Sequence, residues 1–93
     1  MSVNIEIPQD MEAIYANLAV ITHSPSEIII DFARLLPNSP RGKVYSRIVM
    51  TPMNAKLLQR ALNTNLAKYE TQYGEIQIAD NKNADREIGF RHN

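Results

Sequence analysis

The only place in the chain where an imidazole, two hydroxyls and a carboxylate crowd together is His23-Ser24-Pro25-Ser26-Glu27. A hydrolytic relay would need a buried carboxylate to orient that ring against a hydroxyl. A lone histidine beside Ser-Pro-Ser is instead ordinary turn chemistry. The second histidine, His92, lies far along the chain, so no histidine pair is spaced to hold a metal. The acidic residues Glu6, Asp10, Glu12, Glu27, Asp31, Glu70 and Glu75 are scattered and form no calcium loop, and Gly42, Gly74 and Gly89 stand too far apart to cradle a phosphate. The residues therefore assemble no catalytic, cofactor-binding or metal-binding set, and the expectation is a protein that is not an enzyme and carries no cofactor.

A second grouping is basic. Arg34, Arg41, Lys43 and Arg47 cluster around one stretch with Tyr45 among them, a combination that suits nucleic acid when the ring is free to stack on a base. Against it, ten basic and ten acidic side chains cancel over the 93 residues, which removes the long-range field that gathers phosphates or anionic lipid. Weak nucleic-acid binding through Arg34, Arg41, Lys43 and Tyr45 is kept as an alternative function, although nucleic acid is not the expected partner.

These side chains must be positioned by a small set of elements. Thr51 to Gly74 reads as one long helix: Thr51 can cap its first turn, Pro52 suits the first helical position, and Gly74 suits a left-handed end. Leu58, Leu62, Leu66, Tyr69 and Tyr73 recur at helical spacing and form one apolar stripe. Ahead of it, Val3, Ile5 and Ile7 alternate with polar residues up to Pro8 and predict a short edge strand. Gln9 to Ala13 fits a helical turn or a loop equally well. Ile14–Thr22 and Ile28–Leu36 are apolar runs rich in β-branched residues, separated by the Ser-Pro turn, and predict a hairpin. Lys43–Met50 follows the turn-rich Pro37–Gly42 as a further strand. The fold class is thus α+β, an antiparallel sheet of three to four strands followed by a C-terminal helix packed on one face. Residues 1–78 would form a single domain. Residues 79–93, with Ile88 and Phe90 as the only large apolar side chains after Ile78, read as a disordered tail.

Alternation along strands assigns the faces by parity. Even positions, Ile14 through Met50, give the side for the helix. Odd positions give Tyr15, Asn17, Ile21, Ile29, Asp31, Leu35, Tyr45, Arg47 and Val49, a second face too apolar for open water, and these nine are the candidate interface. Setting Arg34 opposite Val44 brings Asp31 directly across from Arg47 as a cross-strand ion pair. The cheapest cover for such a face is another copy of the chain. With no cysteine, no basic-plus-apolar leader and no apolar run near the roughly 20 residues of a membrane span, the expected setting is the cytoplasm, without a disulfide and without a membrane.

A series of short motifs in order, Tyr15-Ala16-Asn17, the His23–Glu27 turn, Asp31-Phe32, Ser46-Arg47, Thr51-Pro52, Asn54–Leu62 and Tyr69–Ile76, resembles the small bacterial proteins grouped as domain-of-unknown-function family 3467. The resemblance covers about residues 11–78. It implies a compact cytoplasmic bacterial module and names no reaction. Together the readings favour a non-enzymatic module of unknown process that self-associates, as a dimer, or assembles with another protein. The alternative of another class is a chaperone-like binder of apolar peptide segments.

Overall fold

The computed structural model describes residues 3–79 and 89–92. Its elements are β1 (Leu18–His23), β2 (Ile28–Leu35), β3 (Gly42–Met50), α1 (Pro52–Tyr73) and β4 (Gly89–His92). The first three strands form an antiparallel meander and one helix follows, an α+β arrangement. The sheet order is β3-β2-β1-β4, with β4 parallel to β1.

The β1–β2 connection is closed by Ser24, whose N–H donates to the carbonyl of Glu27 at 3.0 Å. Between β2 and β3, Leu36-Pro37-Asn38-Ser39 forms a tight turn in which the Ser39 N–H donates to the Leu36 carbonyl. Proline supplies the second position of that turn and Asn38, at φ 64°, the left-handed third. Both helix ends fall where the sequence places them. Thr51 Oγ1 accepts from the Asn54 N–H at 3.1 Å, and Gly74, at φ 101°, returns its N–H to the Glu70 carbonyl.

Four expectations are corrected. No strand forms at Val3–Ile7: Pro8 starts a turn closed by the Met11 N–H, and the segment pairs with neither the edge of β3 nor that of β1, where β4 lies. The strand expected from Ile14 begins only at Leu18. Continuing the β1–β2 register would set Ile14 opposite Pro37, which has no N–H to donate. Within the tail expected at 79–93, Gly89–His92 is a strand, while residues 80–88 and 93 lie outside the described residues. Finally, α1 buries no side chain and does not lie on a face of its own sheet. Its stripe stays open, with Leu58, Leu62, Leu66, Tyr69 and Tyr73 each 40–67% exposed.

Parity also fails as a guide to the faces, for two reasons. The β1–β2 register pairs even residues with odd ones, so Ile21 lies beside Ile30 and Val20 beside Asp31. In β3 the register shifts between Phe32 and Ala33, so that Phe32 faces Ser46, Ala33 faces Val44, and Tyr45 is the extra residue of a bulge. One face is therefore built from the rows His23-Ile28-Met50, Ile21-Ile30-Ile48 and Ala19-Phe32-Ser46. The other carries Thr22-Ile29-Val49, Val20-Asp31-Arg47 and Leu18-Ala33-Val44. We call them the isoleucine face and the ion-pair face. The buried apolar core is small, consisting of Ala19, Ile30 and Ala33.

Candidate interaction surface

The nine residues proposed as one interface do not share one surface. Ile29, Asp31, Arg47 and Val49 stand together on the ion-pair face, joined beyond the bulge by Leu35, whose neighbour across the strands is Gly42. Ile21 belongs to the isoleucine face. Tyr45 is carried there by the bulge, as its ring lies 5.3 Å from both the Arg34 guanidinium and the Lys43 ammonium. Tyr15 and Asn17 precede β1.

The Asp31–Arg47 pair forms as the register requires. Arg47 Nε donates to Asp31 Oδ1 at 2.6 Å and Nη2 to Oδ2 at 3.1 Å, a two-point fork. Asp31 is nearly covered, its side chain 12% exposed, whereas the Arg47 side chain remains 68% exposed. The Arg47 hydrogen bonds hold the Asp31 carboxyl below its usual range, opposed by desolvation, and the charge of Arg47 adds to the lowering. Arg47 is raised in turn, first by the same hydrogen bonds. The anchoring pair assumed for this register was wrong, since Arg34 faces Lys43 and not Val44. The residues on the near side of the bulge are nonetheless matched correctly.

Asn17 does something that its place among interface candidates did not suggest. Its Nδ2 donates to the Leu35 carbonyl at 3.0 Å and its Oδ1 accepts from the Leu35 N–H at 2.9 Å. The carboxamide thus imitates a peptide group and extends the β1–β2 ladder by one pair beyond Leu18. The signal in the sequence is a single carboxamide interrupting the apolar run Ile14–Thr22, just where β1 begins. Its polar atoms are spent within the chain.

The basic grouping is also partly engaged. Arg34 and Lys43 both sit over Tyr45, so the ring offered to a base is already in contact with two of the protein's own cations. Ala13, Ile14 and Tyr15 pass beside Arg34 and Tyr45 around an open pocket of about 200 Å³. The Arg34 Nε there is buried without a hydrogen-bond partner. His23 and the two serines do not form a relay: Ser24 Oγ accepts from the Ser26 N–H at 3.4 Å, the local turn bond expected of this composition. Among the described residues no three His, Cys, Asp or Glu side chains gather at metal-binding distance, and no helix is long and apolar enough to cross a membrane.

What remains is surface. Besides the helix stripe, Val44, Ile48 and Val49 on β3 and Leu57, Met53 and Ile78 around α1 are all 41–82% exposed. A family model described as protein of unknown function (DUF3467) matches residues 1–78, which takes in the meander and the whole of α1. The chain belongs to this family. The match also includes the ten N-terminal residues that the resemblance over about residues 11–78 leaves out. No curated protein matches the chain, and no solved structure does. The DUF3467 match spans the first three strands and α1 and names no activity for them.

Proposed function

We propose that this DUF3467 chain is a non-enzymatic, self-associating interaction module of the bacterial cytoplasm, whose sheet and helix complete their apolar packing only against a second copy. The observation that carries this reading is the exposed stripe of α1 together with the apolar side chains that β3 leaves exposed, Val44, Ile48 and Val49. Contiguous apolar surface beyond a few hundred Å² is uncommon on a monomer and marks a site of association. A helix of 22 residues that buries no side chain gains nothing from tertiary packing, which is the usual source of helical stability in proteins.

Native mass spectrometry of the purified chain tests the proposal. A whole-number multiple of the 10.6 kDa chain is expected. A single chain alone would overturn it, and a single chain carrying a foreign apolar peptide would replace it with chaperone-like binding. Salt-sensitive retention of nucleic acid would turn attention to Arg34 and Lys43.

A further inference from the structure

We infer that in the assembly the α1 stripe of one copy lies on the isoleucine face of the other, so that two copies exchange helices. This rests on the self-association proposed above and commits it to one geometry. The first argument is the junction between β3 and α1. Met50 is still paired with Ile28, while the N–H groups of Asn54 and Ala55 are already bonded to Thr51, at 3.1 and 2.9 Å. Thr51 alone separates ladder from helix and is extended, at φ −71° and ψ 156°. One extended residue is shorter than the roughly two to six that usually turn a strand into a helix packed back on its own sheet. A second copy supplies the same helix without that turn.

The second argument is chemical fit. The stripe of Leu58, Leu62, Leu66, Tyr69 and Tyr73 carries no charge, and its aromatic end is already ordered, with the Tyr69 and Tyr73 rings 4.9 Å apart. The ion-pair face would force Asp31 and Arg47 beneath it, where their lost hydration has no replacement. The isoleucine face offers Ile21, Ile28, Ile30, Phe32, Ile48 and Met50, and its two cations, Arg34 and Lys43, lie beyond the bulge at one end, where both already contact the Tyr45 ring. From Leu58 to Tyr73 the stripe runs about 22 Å, close to the roughly 26 Å of an eight-residue strand. Area points the same way. Five half-exposed leucine and tyrosine side chains present on the order of 500 Å², so two stripes remove about 1,000 Å² from water before the partly exposed faces beneath them are counted, which brings the total into the range of a standard stable interface.

The chain has no cysteine, so introduced thiols are unambiguous. A chain carrying Ile48→Cys and a tagged chain carrying Leu62→Cys are refolded together, joined with a short bifunctional thiol reagent and separated under denaturing conditions. The expected result is a mixed cross-linked pair as the major product, with neither chain cross-linking to itself. A Leu62-to-Leu62 product would show helix against helix and overturn the exchange. So would a preference for Val49→Cys, on the ion-pair face, over Ile48→Cys. A chain bearing both Ile48→Cys and Leu62→Cys that closes within itself would show the helix folding back and overturn it equally. The first two failures leave an associated species in native mass measurement, whereas folding back leaves a single chain with an intrachain cross-link and failure of self-association leaves a single chain without one.

Discussion

Replacing Asn17 by alanine removes two hydrogen bonds at once, because its carboxamide both donates to and accepts from the Leu35 peptide group. A typical intramolecular hydrogen bond contributes a net of about 0.5–1.5 kcal/mol, and stranding a partly covered partner costs more than the bond alone. Asn17 is half-buried, so water can partly replace the lost groups. The expected loss is about 2 kcal/mol, or about 8–16 °C in the midpoint of a domain this small. Asn17→Asp retains the acceptor for the Leu35 N–H but sets a carboxylate against the Leu35 carbonyl, so it should not recover stability. The Asn17 backbone N–H, which donates to the Ala33 carbonyl at 3.1 Å, is left intact by both changes. Urea unfolding at fixed protein concentration measures the effect, with an unchanged denaturant slope showing that the folded state is otherwise preserved. A loss below about 0.5 kcal/mol would refute the peptide-mimic role, being no more than a neutral surface change produces.

Thr51→Ala removes the acceptor that caps α1 and should cost about 1 kcal/mol by denaturant unfolding; no change would mean that the helix start is held by other contacts. The Asp31 carboxyl titrates below its ordinary 3.8 in the folded chain, so the unfolded chain binds the proton first as pH falls. Its stabilising contribution is complete above that value and is lost on descending through the lower folded pKa, so Asp31→Asn should flatten the acid limb of a stability profile there and leave its shape near neutrality unchanged. Truncation before Gly89 strips β4 from β1 and uncovers the edge beside Ala19, so the shortened chain should melt earlier; an unchanged melting temperature would mean that this pairing adds nothing.

The parts of the fold legible in the sequence are those fixed by local chemistry. Thr51-Pro52 and Gly74 bracket α1 because capping and a left-handed φ depend on a few neighbouring residues, and the Ser-Pro and Pro-Asn turns are legible for the same reason. The Asp31–Arg47 pair was reached from a mistaken anchor: a one-residue bulge at Tyr45 leaves the pairing on one side of it unchanged and inverts the faces on the other. Face assignment in β1 failed because register between strands is set by their pairing, not by residue number, and moved Ile21 away from Ile29. β4 had no apolar period to announce it. The docking of α1 was misjudged because an apolar stripe states that a helix needs a partner without stating which chain supplies one.

Sedimentation equilibrium of the unaltered chain over a wide range of concentrations tests the proposed self-association most directly. The expected result is a mass twice the 10.6 kDa of one chain, held to micromolar dilution. A mass of one chain at every concentration, with the chain still folded, would contradict it.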